Sequence, residues 1–412
     1  MRKALDKLLR KQLETAVIKA RNIAETAATQ VLKRLSVGDH KAAEYLTDDQ
    51  KKLRNRLRAH GRQLGDILKG GEQEIKHLVV EIAYEHWHRM LFSRFLEQNN
   101  LLMYDEHTSI SLEDCQVLSQ DADSSLGTTD GWELVAKLAS KMLPQIFRID
   151  SPVFELKFAP EHQQELEKII SNLQEETFQA QDSLGWVYQY WQTQKKEEVN
   201  KSGNKIGADE LSAVTQLFTE PYMVNFLLDN SLGAWWVTNY PQYKDVLPLE
   251  YLRYAPEQTD DENTQDNNQY KETDIPAAGT FEGWPKDLSQ LKMLDPCCGS
   301  GHFLVATLLM LVPMRMKAED LTADEAIEKV LAQNIHGLEL DQRCVEIAAF
   351  AVALEAWRYP DCSGYRQLPS FNIAWVGQSI KAKKEDWLSL AGEDVRLYQG
   401  MESLYDTFKD AP

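Results

Sequence analysis

The chain has 412 residues, of which 43% are hydrophobic and 26% are charged, the balance of a globular protein rather than of a disordered or fibrous one. This length accommodates two or three domains. With 45 basic and 64 acidic residues, the net charge is −19. The longest apolar run, residues 303–316, is interrupted by Pro313 and Arg315 and is too short to span a bilayer.

Cysteine usage and the first residues indicate the compartment. The five cysteines form neither an even disulfide framework nor a C-x-x-C metal pattern, and the first residues lack the apolar stretch of a secretory signal. We therefore expect a reduced, cytoplasmic protein without a membrane segment.

Positive charge is concentrated near the amino terminus. Residues 1–70 hold 17 Lys or Arg against 8 Asp or Glu, a net charge of +9, which leaves −28 for residues 71–412. A basic segment on an acidic protein is either a surface for a polyanion or a solvated helical face. Arg54, Arg56 and Arg58 are the candidates for polyanion contacts.

The first half of the chain is predicted to be helical. Apolar residues recur at helical spacing in three stretches, residues 5–35, 49–69 and 75–96, and helices are also predicted over 160–179 and 211–236. The aromatic cluster of Trp186, Tyr188, Tyr190 and Trp191 fits core packing better than base stacking.

A strongly acidic segment separates this half from the rest. Residues 257–275 contain seven acids and the single base Lys271, a composition that favours a mobile loop or linker. Beyond it, short apolar strands alternate with helices. Strands are predicted at 292–294, 335–341 and 371–376, with helices from 303, at 323–333 and at 343–357. This alternation is typical of a parallel α/β sheet.

The first of these strands leads into a glycine-rich turn. Gly299 and Gly301 allow a ligand to approach the backbone, and the free N–H groups where the next helix begins create a positive end. Asp295 at the strand tip is suited to a cationic amine. Glu339, at the tip of the next strand, is suited to ribose hydroxyls. Together these residues predict a site for S-adenosylmethionine.

A dinucleotide site is the competing interpretation. Its fingerprint requires glycine or alanine at the position of Leu304, and its acid should follow within about 20 residues. Glu339 comes 38 residues after Gly301, which disfavours a nicotinamide enzyme. A glycine turn without any ligand is the remaining structural alternative.

Several motifs resemble one enzyme group. Residues 295–304, D-P-C-C-G-S-G-H-F-L, resemble the D-P-A-C-G-S-G-H-F-L cofactor motif of adenine-N6 DNA methyltransferases. Residues 215–222 resemble the F-T-P segment that closes over methionine, 336–341 the ribose-binding strand, and 376–380 the G-[DN]-S-L segment that contacts adenine. Helical segments 83–92 and 184–191 are similar to the amino-terminal region of the PglX family of BREX phage-defence systems, relatives of type IIG restriction–modification enzymes.

The resemblance implies an α/β protein with a helical amino-terminal domain followed by an incomplete Rossmann-like, class I S-adenosylmethionine-dependent methyltransferase domain. The expected boundaries are 1–200 for the helical domain and 201–256 for a helical segment that carries the F-T-P motif. An acidic linker or loop would occupy 257–283. The cofactor-binding part would occupy 284–412.

The same resemblance implies roles for individual residues. Asp295 would hold the amino end of the cofactor, Glu339 its ribose, and Gln378 its adenine. The other implied cofactor-binding residues are Phe218 and Thr219, which would cover the methionine part, and Pro296, Cys297, Gly299 and Gly301 of the turn. Two of these motifs depart from the family pattern, since Gln378 replaces Asp or Asn and Glu220 is inserted before Pro221. No metal ligand is expected.

A third departure concerns catalysis. The family acts through an Asn-Pro-Pro-Tyr tetrapeptide that accepts the N–H bonds of the target amine and stacks on the flipped base. No Pro-Pro pair occurs in the 412 residues. We therefore expect no catalytic residue in this chain, which would be the front half of such an enzyme: a truncated gene product, a split subunit or a fragment.

The resemblance implies methyl transfer to adenine N6 in double-stranded DNA, within a phage-defence or restriction–modification system. Expected partners are DNA, contacted by Arg54, Arg56 and Arg58, a polypeptide with the catalytic and target-recognition regions, and other phage-defence proteins. A non-catalytic S-adenosylmethionine-binding scaffold is the principal alternative. A small-molecule methyltransferase is disfavoured by the helical head.

Overall fold

The computed structural model describes residues 4–128, 130–202, 218–256, 272–278, 281–377, 384–389, 391–392 and 394–408. Over these residues the protein is mostly helical and carries three small β-sheets. No helix in the described part is long and apolar enough to cross a membrane.

The amino-terminal part is built around two long helices, α1 and α3. Apolar residues at helical spacing on α1, including Leu13, Val17 and Ala24, are fully buried against α3 and α8. The elements of this part are α1 (Lys7–Arg34), α2 (Asp48–Gln63), β1 (Leu68–Lys69), β2 (Glu72–Gln73), α3 (Lys76–Gln98), α4 (Leu112–Leu118), α5 (Gly131–Met142), α6 (Pro160–Ser171), α7 (Glu175–Gln179) and α8 (Ser183–Ser202). The predicted aromatic core is confirmed, because Trp186, Tyr188, Tyr190 and Trp191 are all buried.

A mixed segment connects the two halves of the chain. It comprises α9 (Pro221–Leu228), a π-helical turn (Asp229–Gly233), α10 (Ala234–Asn239), a 3-10 turn (Pro241–Val246), β3 (Tyr254–Pro256), β4 (Glu272–Pro276) and a second 3-10 turn (Leu288–Gln290). The prediction of a loop is wrong for the last part of the linker, because Glu272–Pro276 forms a strand that pairs antiparallel with Tyr254–Pro256. Residues 257–271, which hold most of the acidic run, lie outside the described residues.

The carboxyl-terminal part has the predicted alternation of strands and helices. Its elements are β5 (Met293–Asp295), α11 (His302–Glu319), α12 (Ala323–Gln333), β6 (Ile335–Glu339), α13 (Gln342–Trp357), β7 (Asn372–Trp375), α14 (Lys384–Ser389) and α15 (Val395–Phe408). The strands form a parallel sheet in the order β5–β6–β7, in which Asp295 pairs with Gly337 and Glu339 with Trp375. The expected parallel α/β sheet is confirmed.

In the part of the chain that the structure describes, helices cover one face of this sheet and leave the other open. Ile335, Gly337 and Glu339 are buried beneath α11, α12 and α13. On the opposite face Leu294 is 57% exposed, and Ala374 is also exposed. Parallel sheets are normally covered on both faces, so this open face is unusual for an isolated domain.

The helical head and the α/β part share one apolar core. The rings of Phe92 and Phe350 stack with their centroids 4.4 Å apart, and the Tyr84 hydroxyl donates to the Arg343 carbonyl over 3.1 Å. These contacts join helix α3 to helix α13, which follows the ribose strand of the predicted site.

Two of the three arginines proposed for DNA contact are interior residues. Arg54 and Arg58 are only 6% and 9% exposed. Arg54 donates to the carbonyls of Ser36 and Asp39 at 2.8 and 2.5 Å. These guanidinium groups hold the loop after α1 rather than face solvent. The DNA-contact prediction is therefore wrong for Arg54 and Arg58 in this conformation, whereas Arg56 is half-exposed and pairs with Glu155.

Arg58 provides a test of this structural role. Its guanidinium donates to the carbonyls of Val37, Asp39 and Gly71 at 2.6 to 2.8 Å. Arg58→Met removes the donor to the Val37 and Gly71 carbonyls, while Asp39 keeps its bond from Arg54. We expect the free energy of unfolding to fall by about 2–4 kcal/mol in urea denaturation. The control Arg56→Met breaks a solvent-screened pair and should cost below about 1 kcal/mol. Equal losses in the two variants would contradict the interior role of Arg58.

Candidate cofactor site

The turn between β5 and α11 requires glycine at two positions. Gly299 and Gly301 have φ values of +52° and +80°, the left-handed region that side chains disfavour. A Cβ on Gly301 would lie 2.8 Å from the Cα of Ala348 on α13. The motif therefore shapes the backbone and also lets two helices approach closely behind the turn.

Glu339 ties the second strand tip to this turn. Its carboxylate accepts from the Gly299 N–H at 2.8 Å and from the N–H groups of Leu340 and Asp341 at 2.7 and 2.9 Å. The side chain is only 7% exposed. The structure thus brings Glu339 and the glycine turn together, as the sequence predicted.

Asp295 lies at the first strand tip with little hydrogen bonding of its own. Burial raises the pKa of its carboxyl group, and the one N–H that offsets this effect belongs to Cys297, 3.1 Å from Oδ1. A nearby cation would stabilise the ionised form. Pro296 and Cys297 are exposed on the outside of the turn, whereas Cys298 is buried beneath it.

The F-T-P segment reaches the start of α11. The Phe218 ring lies 4.7 Å from the ring of His302, the first residue of α11, and 4.7 Å from that of Trp186. A Cβ on Gly185 would overlap the Phe218 ring, so glycine is required there. Thr219 is partly buried beside Phe218. The structure therefore brings the predicted cover close to the glycine turn, while Gln378 lies outside the described residues.

His302 adds an unassigned polar group next to this cover. Its Nε2 is buried and has no hydrogen-bond partner in the described part of the chain. Burial lowers the pKa of the ring to about 4, so the imidazole is neutral at neutral pH. A neutral imidazole can donate or accept one further hydrogen bond at this position.

The helical head also contacts the ribose strand, a link that the sequence did not predict. The Tyr188 hydroxyl on α8 donates to Oδ2 of Asp341 at 2.6 Å, and Asp341 caps the start of α13 through the N–H of Arg343. Burial of Asp341 would raise the pKa of its carboxyl group, but the Arg343 guanidinium and the Tyr188 hydroxyl hold this pKa below its usual range. Asp341 in turn donates its N–H to Glu339. A continuous set of hydrogen bonds therefore joins the head to the glycine turn.

Acids at the carboxyl ends of two neighbouring parallel strands, with a glycine turn leading into a helix, are the features of a nucleoside- or nucleotide-binding α/β site. Comparison with known proteins narrows this class. Residues 267–391 match the family described as MmeI, DNA-methyltransferase domain.

Three curated relatives are named as methyltransferases. The adenine-specific methyltransferase PglX of Lacticaseibacillus casei is 24% identical over 324 residues, which cover 68% of this chain and 26% of that protein. The adenine-specific methyltransferase BrxX of Escherichia coli O9:H4 is 30% identical over 46% of this chain and 15% of that protein. PglX of Streptomyces coelicolor is 32% identical over 25% of this chain and 9% of that protein.

The resemblance to the N6-adenine methyltransferases of the BREX and type IIG group is thus confirmed over part of the chain. The matched regions make up about a quarter or less of each of these relatives.

Proposed function

We propose that this chain supplies the helical domain and the cofactor-binding half of a site-specific DNA adenine-N6 methyltransferase of a phage-defence or restriction–modification system. The observation that carries the proposal is the contact between the two predicted binding elements, the Gly299 N–H and the Glu339 carboxylate. The names of the relatives specify adenine, and the matched family is described as a DNA-methyltransferase domain; together they support adenine in DNA as the substrate class.

The residues present fit S-adenosylmethionine, the methyl donor usual in such enzymes. Asp295 offers a desolvated carboxyl group to the ammonium of the methionine part. A Cβ at Gly299 would meet no atom within 4 Å, so space remains beside the backbone of the turn. Glu339 is already fixed by backbone N–H groups and would offer its remaining lone pairs to ribose hydroxyls. In this arrangement the chain would bind and orient the donor, and Phe218 with Thr219 would shield the methionine part from water.

We further propose that a second polypeptide segment completes the domain and supplies the Asn-Pro-Pro-Tyr tetrapeptide. Among the described residues nothing buries Leu294 on the open face of the β5–β6–β7 sheet, and this supports the inference because parallel sheets are normally covered on both faces. The chain would then act with double-stranded DNA and with other defence proteins.

Calorimetric titration of S-adenosylmethionine into the 412-residue chain tests the cofactor site. We expect micromolar affinity, and no binding of NAD under the same conditions. NAD binding without S-adenosylmethionine binding would instead support the dinucleotide interpretation. Failure of a folded chain to bind either ligand would contradict a self-contained cofactor half.

A non-catalytic S-adenosylmethionine-binding scaffold is the second candidate, favoured by the lack of a Pro-Pro pair in the sequence. Labelled methyl transfer to duplex DNA separates the two proposals. The enzyme proposal requires transfer once a polypeptide carrying the tetrapeptide is added, whereas the scaffold would stay inactive. Transfer by the chain alone would contradict the requirement for the added tetrapeptide.

A further inference from the structure

A cluster of three side chains on the helical head has the composition of a metal site. His60 comes from α2, and Glu81 and Glu85 come from successive turns of α3. One ligand atom from each lies within 4.8 Å of the other two. The i,i+4 spacing of the two glutamates places their carboxylates on the same side of α3, facing the imidazole.

The imidazole of His60 has an unused ligand atom. Its Nε2 is buried and has no hydrogen-bond partner among the described residues. A buried polar atom without a partner is costly, and such atoms are rare in folded proteins unless a water or an ion meets them. A bound metal ion would satisfy this nitrogen directly.

Negative charge also exceeds positive charge in this cluster. Arg148 lies 2.9 Å from Glu346, but 3.4 and 3.8 Å from Glu85 and Glu81. Its closest partner is therefore Glu346. Arg89, one turn further along α3, also attracts Glu85, so three carboxylates face two guanidinium groups.

We propose that His60, Glu81 and Glu85 bind a divalent transition-metal ion, with Zn²⁺ the best match. One imidazole nitrogen and two carboxylate oxygens form a three-ligand set that Zn²⁺ accepts, with water completing the tetrahedron. The ion would link α2 to α3 and so stabilise the helical head. No short metal motif predicts this site, because its ligands come from two different helices. This inference is independent of the proposed cofactor site.

Calorimetric titration of ZnCl2 into the metal-stripped 412-residue chain tests the proposal, with bound zinc counted by mass spectrometry after dialysis. We expect one Zn²⁺ per chain. His60→Ala and the isosteric Glu85→Gln should each weaken binding at least tenfold. The matched control His107→Ala removes an exposed histidine, and Cys297→Ser removes the exposed thiol; both should bind as the wild type does.

Several outcomes would overturn the proposal. A folded wild-type chain that retains no zinc would do so, as would affinity that is lost in Cys297→Ser and retained in His60→Ala. Circular dichroism establishes that each variant is folded. If His60→Ala fails to fold, Glu85→Gln alone decides the question, because it keeps the shape of the side chain while removing its charge.

Discussion

Asp295→Asn should weaken the binding of S-adenosylmethionine at least tenfold, a loss of about 1.4 kcal/mol. Asparagine keeps the shape of the side chain and an oxygen to accept the Cys297 N–H, but it cannot carry the charge that attracts an ammonium group. Burial raises the pKa of Asp295, because the Cys297 N–H alone does not offset the cost of desolvating the ionised form. The ammonium of the ligand would stabilise that form further.

Titration calorimetry of the variant, compared with Asp287→Asn, measures this effect. Asp287 precedes the strand that ends in Asp295, and its replacement should leave the affinity unchanged. The free energy of unfolding should remain the same or rise slightly in Asp295→Asn, because a poorly stabilised buried acid is removed. Unchanged affinity in Asp295→Asn would remove Asp295 from the site, while binding by the wild type would still support the rest of the proposed function.

The sequence predicted the α/β part well because its signals are local. The helix predicted over 323–333 is observed with the same bounds, and its buried residues recur at helical spacing. The glycine turn after Asp295 marks the end of β5. Glu339 lies at the end of the short apolar run that forms β6. These features depend on residues that are neighbours in the chain, so local sequence patterns are enough to predict them.

Features that depend on distant residues were missed. Arg54 and Arg58 look like surface residues in a basic helix, yet backbone carbonyls of the preceding loop enclose them. Glu272–Pro276 has the composition of a linker and becomes a strand only through pairing with Tyr254–Pro256. Tyr188 was expected in the core, but its hydroxyl bond to Asp341 spans 153 positions in the chain. No local pattern encodes such contacts.

The buried acids that join the head to α13 predict a pH-dependent stability. Burial raises the pKa of Glu85 to about 7 and that of Glu346 to about 8, from ordinary values of 4.5. The folded chain therefore binds more protons than the unfolded chain between about pH 4.5 and 8. Stability conferred by these groups is present at low pH and is lost as the pH rises through this window.

Arg148→Met should enlarge this loss, because Arg148 is the guanidinium that contacts Glu81, Glu85 and Glu346 together. Arg148 lowers the pKa of Glu85 and of Glu346, so at pH 8 its removal leaves their ionised forms without this counter-charge. We expect the free energy of unfolding to fall by about 3–5 kcal/mol. At pH 5 the loss should be clearly smaller, since Glu85 and Glu346 are then protonated and need no counter-charge.

Urea denaturation at pH 5 and pH 8, with a chelator present to exclude metal ions, measures both losses. The control Arg56→Met breaks a half-exposed pair and should cost below about 1 kcal/mol at either pH. An Arg148→Met loss of equal size at both pH values would mean that this residue contributes through packing alone. A loss that grows with pH instead means that the carboxylates of the head and of α13 both depend on the Arg148 guanidinium, in addition to Arg89 beside Glu85 and Arg343 beside Glu346. The junction between the two parts would then respond to protons.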